Sequence, residues 1–223
     1  MSRRVRFKVC CIADPAEAAL AVRYGAAALG LVSRMPSGPG VVDDATIGDV
    51  ARGVPPGVAR FLLTSETDPD AIADQQRRLG VDVLQLVDRV EPDVLRALRA
   101  ALPGVRLVAV VHVTGRPSLD EAVALAPLVD ALLLDSGNPD LAVKELGGTG
   151  RTHDWEVSAA IVDAVRVPVW LAGGLNPENV AAAAARVRPF GVDVCSGLRT
   201  DGRLDEGKLR AFATALDAVR GVE

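Results

Sequence analysis

Val167-Pro168-Val169-Trp170-Leu171-Ala172-Gly173-Gly174-Leu175-Asn176-Pro177-Glu178-Asn179-Val180, followed by Val192-Asp193-Val194-Cys195-Ser196-Gly197, reads as strand, glycine turn, helix start and strand. The first run is apolar up to Ala172 and turns at two glycines. It restarts behind Asn176-Pro177-Glu178, a capping residue followed by proline. The second run is again rich in valine and ends in Ser-Gly. Apolar character that is continuous rather than alternating marks strands buried on both faces, as in a parallel sheet covered by helices.

The same unit recurs along the chain. Strands are expected at Arg6–Ile12, Ala28–Ser33, Ala59–Ser65, Val83–Val87, Arg106–Val113, Ala131–Ser136, Val167–Gly174 and Val192–Gly197. Helix starts are expected at Asp14-Pro15-Ala16-Glu17, at Asp68-Pro69-Asp70, and at Ser118-Leu119-Asp120-Glu121, which has the pattern of a capping box. Eight units in 223 residues allow about 28 residues each, enough for one right-handed crossover. The expected fold is α/β, a closed (β/α)8 TIM barrel forming one domain over residues 1–223. An open doubly wound sheet is the structural alternative. It normally carries a nucleotide-type glycine loop after its first strand, where this chain has Cys11-Ile12-Ala13-Asp14.

Composition narrows the function. The net charge is −4 and basic residues do not cluster, which argues against nucleic acid or a membrane surface as partner. No apolar run reaches the roughly 18 residues of a membrane span, and no signal-peptide pattern is seen. Three cysteines without a spaced framework fit a reducing, cytoplasmic location. Two histidines outside any metal-ligand spacing predict no metal, and no cofactor is expected.

In barrels of this kind, the loops after strands seven and eight often cradle phosphate. Glycines there let backbone N–H groups approach closely, so Gly173, Gly174, Ser196 and Gly197 are the candidate phosphate site; turn-closing glycines are the plain alternative. Asp135 ends an apolar strand at the catalytic face, where a carboxylate is costly unless used or paired. Cys10 shares a strand face with Lys8, while Cys11 is expected on the other face, packed outward against a helix. By itself Cys10 reads first as a small buried hydrophobe and only second as a catalytic thiol. His112 is expected buried and bonded in strand five, Trp155 packing the sixth helix, Trp170 in the barrel wall, and Arg199 in a loop salt bridge or on the phosphate. The long stretch from Gly137 to His153, with Gly147-Gly148-Thr149-Gly150, reads as a lid or as a plain solvated loop.

Taken together, Lys8-Val9-Cys10, Leu132-Leu133-Leu134-Asp135, Gly147-Gly148-Thr149-Gly150 with His153-Asp154-Trp155, Leu171 to Val180, and Asp193-Val194-Cys195-Ser196-Gly197 resemble the phosphoribosylanthranilate isomerase family of tryptophan biosynthesis, end to end and in order. The resemblance implies an Amadori rearrangement of an N-(5-phosphoribosyl) arylamine to a 1-deoxyribulose 5-phosphate. It implies Asp135 as general acid, Cys10 as general base with Lys8 as a candidate neighbouring cation, and Gly173, Gly174, Ser196 and Gly197 on the phosphate. Lys8, Arg34, Gln85 and Gly148 are the candidate substrate-binding residues. The implied partner is a small phosphorylated sugar-amine, and the chain is expected as monomer or homodimer.

Three departures stand out. Where the family follows its cysteine with glycine, this chain has Cys11. Its Ser-Pro-Arg, whose arginine grips the anthranilate carboxylate, is replaced by Ser37-Gly38-Pro39-Gly40, leaving Arg34 as candidate substitute. Its Gln-Leu-His-Gly is Gln85-Leu86-Val87-Asp88. Two other functions therefore stay open: the same chemistry on a different phosphoribosyl amine, and a non-catalytic barrel that binds a phosphorylated ligand. A Schiff-base aldolase is disfavoured, since none of Lys8, Lys144 and Lys208 is placed at the end of a central strand such as the sixth.

Overall fold

The computed structural model describes residues 5–36, 38–137 and 152–219. Eight parallel strands close into a barrel in sequence order: β1 Arg6–Val9, β2 Ala28–Val32, β3 Ala59–Thr64, β4 Val83–Leu86, β5 Arg106–His112, β6 Ala131–Asp135, β7 Val169–Leu171 and β8 Gly191–Val194. Helices α1 Pro15–Arg23, α2 Asp44–Gly53, α3 Pro69–Leu79, α4 Pro92–Ala101, α5 Pro117–Leu125, α6 Trp155–Ala164, α7 Val180–Val187 and α8 Glu206–Ala218 follow the strands in turn. A short hairpin, β9 Arg199–Thr200 with β10 Arg203–Leu204, lies between β8 and α8.

Several helix starts are set by the residues expected. The Asp14 carboxylate accepts from the Glu17 N–H, and Asp68 accepts from Asp70 and Ala71, each ahead of a proline at the first helical position. Such caps contribute about 1 kcal/mol apiece. Asn176 accepts from the Glu178 and Asn179 amides, but it organises a turn, and α7 itself begins at Val180. The capping box at Ser118 is not formed. α5 starts one residue earlier, and the Ser118 hydroxyl donates to the His112 carbonyl and accepts from the Thr114 amide, tying the helix to the end of β5.

The core has two layers. Phe7, Val9, Leu29, Leu31, Leu62, Leu84, Leu132, Leu134, Leu171 and Val192 face outward and pack against the helices. Cys10, Val32, Phe61, Leu63, Val83, Val108, Val110, Leu133, Trp170 and Ala172 fill the inside. Trp170 thus belongs to the barrel interior, edge-on between Phe61 and Phe190. With this base of the barrel filled by aromatics, polar chemistry is confined to the strands' C-terminal ends. A cavity of about 420 Å³ at the N-terminal end, lined by Trp170, Phe190, Arg6 and Arg106 among others, holds neither Cys10 nor Asp135.

Candidate active site

Side chains alternate along β1, so Lys8 and Cys10 both point into the barrel. Lys8 is fully buried, and its ammonium donates to the Asp193 carboxylate of β8 at 2.7 Å. It also sits 5.3 Å from the centre of the Phe61 ring, a cation–π contact. Burial alone would push the Lys8 ammonium toward neutrality. The Asp193 carboxylate and the nearby Cys10 sulfur outweigh that and raise its pKa well above the ordinary lysine value, so it stays charged.

Gly30 of β2 makes this arrangement possible. A methyl group there would lie 2.8 Å from the Cys10 Sγ and 3.1 Å from the Lys8 Nζ. Gly30→Ala is therefore expected to displace both groups, destabilising the barrel by about 1–3 kcal/mol and lowering kcat by about 10²-fold. Thermal unfolding and steady-state kinetics check the two effects separately.

Cys11 does not pack outward. It is buried among the inward-facing residues beside Cys10, because its φ of +62° ends the extended run and turns the side chain back. The left-handed conformation favours glycine, which accounts for glycine after the cysteine in the resembling family. The space it fills is left open by Gly40, where a Cβ would come 2.3 Å from the Cys11 Cβ.

Asp135 ends β6, and one carboxylate oxygen accepts from the Ser136 amide at 2.7 Å. Burial raises the Asp135 pKa above the ordinary carboxylate value. The Asp193 charge adds to this, and the Ser136 N–H, His112 and the Lys8 charge only partly offset it. A raised carboxyl is suited to donating a proton. Next to it, His112 is buried and bonded through Nε2 to the Val87 carbonyl at 3.1 Å.

The loops after β7 and β8 meet closely. Gly173 and Gly174 have φ of +83° and +62°, and a Cβ on Gly197 would lie 2.0 Å from the Leu175 carbonyl oxygen. Asn179 braces the glycine turn: its amide group donates to the Gly174 carbonyl at 2.9 Å and its carbonyl accepts from the Asn176 amide. Ser196 is exposed and opens a single 3-10 turn beside it. The missing side chain of Gly173 leaves room for the His153 imidazole and for Ser136. His153 holds Ser158 through Nε2 at 2.8 Å, and burial lowers its pKa to about 4, so it is neutral at physiological pH.

Arg199 touches the end of β1 rather than the glycine turn. It pairs with buried Glu17 at 3.1 Å and donates to the backbone carbonyls of Cys10 and Cys11. Glu17 in turn accepts from the Ala13 and Leu204 amides. Arg34 is exposed just past β2, and Gln85 is buried in β4 with its side-chain oxygen unpartnered. Gly148, and with it the Gly147–Gly150 stretch, lies outside the described residues. No group of His, Cys, Asp and Glu among the described residues is arranged to hold a metal ion.

The model of the family described as N-(5'-phosphoribosyl)anthranilate (PRA) isomerase matches residues 7–215. The chain belongs to that family. An N-(5'-phosphoribosyl)anthranilate isomerase of Haloferax volcanii is 39% identical over 218 residues, covering 97% of this chain and 95% of the relative. A crystal structure of phosphoribosyl anthranilate isomerase in complex with reduced 1-(o-carboxyphenylamino)-1-deoxyribulose 5-phosphate matches with a TM-score of 0.81 at 26% identity, covering 96% of this chain and 99% of that one. A crystal structure of monomers generated from the dimeric phosphoribosylanthranilate isomerase of Thermotoga maritima matches with a TM-score of 0.79 at 26% identity, covering 96% of this chain and 99% of that one.

In this member of the family, sequence reasoning left Asp193 and Gly30 without roles, and Arg199, expected in a loop salt bridge or on the phosphate, without Glu17 as its partner. For Asp193 a signal existed. One lysine and one aspartate in otherwise apolar, adjacent strands must pair, since neither is stable buried alone.

Proposed function

We propose that the chain isomerises N-(5'-phosphoribosyl)anthranilate to 1-(o-carboxyphenylamino)-1-deoxyribulose 5-phosphate, a step of tryptophan biosynthesis. The observation that carries this reading is Lys8, a fully buried ammonium held by Asp193 at 2.7 Å that shares the space beside Gly30 with the Cys10 Sγ, with Asp135 at the C-terminal end of β6. Asp135 protonates the furanose ring oxygen, and the ring opens to an iminium. Cys10, as thiolate, removes the C2 proton, and the enolamine formed tautomerises to the product. Lys8 supplies the positive field that a thiolate base requires. Gly173, Gly174, Ser196 and Gly197 hold the phosphate with backbone N–H groups and one hydroxyl. The free thiols Cys10, Cys11 and Cys195 support a reducing compartment, the cytoplasm. Among the described residues no helix is long and apolar enough to cross a membrane. Assembly is as monomer or homodimer.

Expression in a bacterial strain that lacks this isomerase and requires tryptophan tests the function. Growth without tryptophan is expected from the wild-type gene and not from Cys10→Ala. Failure of the folded wild-type protein to restore growth would overturn the reading.

Gly40, standing where the family has its carboxylate-binding arginine, favours one alternative: the same chemistry on a different phosphoribosyl amine. Arg34 decides between the two. If it grips the anthranilate carboxylate, Arg34→Ala loses a charge-assisted bond of about 1.5–3 kcal/mol. KM then rises about 10–100-fold with little change in kcat. An unchanged KM would leave the carboxylate without an anchor and support the alternative.

A further inference from the structure

Three thiols converge at the C-terminal end of β1. Cys10 and Cys11 are consecutive, and the Cys10 amide donates to the Val194 carbonyl at 2.8 Å, which brings the end of β1 alongside Cys195. All three are free, Cys10 and Cys11 are buried, and Cys195 is partly exposed. The turned-back Cys11 side chain lies in one inward-facing cluster with Cys10, and Cys195 packs against that cluster. The β1–β8 register sets Val9 opposite Val194, so Cys195 stands opposite Cys10 with Cys11 one residue further on; strands about 4.8 Å apart leave both within the range of Cα separations that a disulfide can span. With φ of +62°, the Cys11 side chain turns in to this cluster instead of alternating outward.

We infer that Cys11 and Cys195 form an oxidation-sensitive pair that closes to a disulfide on exposure to a peroxide. The chemistry of the two sulfurs differs in the required direction. The Cys11 thiol and the Arg199 guanidinium are the polar neighbours that act on Cys195. Together these lower the Cys195 pKa against its burial, while hydrogen bonding to its neighbours and burial raise that of Cys11. Cys195 is thus the attacking thiolate and Cys11 the resolving thiol. The Cys195 thiolate attacks one peroxide oxygen, the O–O bond breaks, and sulfenic acid and hydroxide result. The Cys11 sulfur then attacks the sulfenic sulfur, and hydroxide leaves with the thiol proton as water. Two thiols lose two electrons, hydrogen peroxide gains them, and two waters form.

The crosslink joins the segment after the proposed base to the one entering the Ser196–Gly197 turn, so the open site depends on both thiols being reduced. That consequence rests on the roles proposed above; the crosslink itself does not.

Treatment of the native protein with hydrogen peroxide, followed by thiol titration under denaturing conditions and non-reducing tryptic mapping, tests the inference. Two of the three thiols should be lost, with residues 9–23 linked to the peptide containing Cys195, and dithiothreitol should reverse both. The link should persist in Cys10→Ser and vanish in Cys11→Gly and in Cys195→Ser. Glycine at position 11 suits the backbone there, so its effect is not a folding failure. A link that vanishes in Cys10→Ser but persists in Cys11→Gly, a bond confined to residues 9–23, or three thiols still free after peroxide would each overturn the proposal. Reversible loss of turnover accompanying the crosslink is expected. A crosslink without that loss would count against the assigned roles of Cys10 and Ser196 and leave the disulfide standing.

Discussion

Asp135→Asn should lower kcat by about 10²–10⁴-fold, the usual contribution of a single positioned proton donor. The substitution keeps the shape of the side chain and its bond to the Ser136 amide, so the fold and the phosphate affinity should change little, and KM with them. The pH profile separates a lost proton from a disturbed site. Turnover requires the protonated carboxyl. The wild-type rate therefore falls as pH rises through the Asp135 pKa, and burial places that fall at higher pH than for an exposed aspartate. In Asp135→Asn that limb should be absent. An Asn variant with the wild-type limb would assign the titration, and the acid role, elsewhere.

The second large effect concerns stability. Asp193→Ala leaves the fully buried Lys8 ammonium without its partner, and breaking a buried ion pair from one side costs about 3–5 kcal/mol. In a domain of this length each kcal/mol lowers Tm by about 2–4 °C, so a fall of about 6–20 °C is expected by calorimetry. The double substitution Lys8→Met with Asp193→Leu removes both charges and should recover most of that loss, while turnover stays impaired because Cys10 has lost its cation. The sign of the pH dependence follows from Lys8. Its pKa is raised on folding, so the pair contributes fully below the ordinary lysine range and is lost only as pH rises through the raised value. A Tm for Asp193→Ala equal to wild type would mean that Lys8 finds another partner or loses its proton.

How far these features could be read in advance depended on the range of the forces that set them. Strand and helix order follow from local apolar runs and caps, and seven of the eight strands start within about a residue of the expected segments, although the first and eighth end three residues before them. The seventh is shorter than its apolar run, Val169–Leu171 rather than Val167–Gly174, because its pattern continues into the glycine turn after its pairing ends. Asp135 and Cys10 were legible because a carboxylate and a lysine-flanked thiol stand out in apolar strands. Cys11 was misplaced because alternation assumes an extended backbone, whereas its φ is positive and the space its side chain takes is left by Gly40, distant in sequence. Ser118 fits a capping pattern, yet the helix starts earlier because its hydroxyl serves the end of β5. Arg199 could be assigned to a salt bridge, but not to Glu17 near the other end of the chain, nor to the carbonyls of the catalytic segment.

The most direct measurement is the loss of phosphoribosylanthranilate fluorescence on adding purified wild-type protein, with Cys10→Ala run beside it at matched folding. Rapid decay with wild type, slowed by at least about 10²-fold in Cys10→Ala, is the expected result. Equal decay in both, or none with a folded wild-type protein that still binds a ribose-phosphate analogue, would contradict isomerisation of this substrate by the Cys10–Asp135 pair.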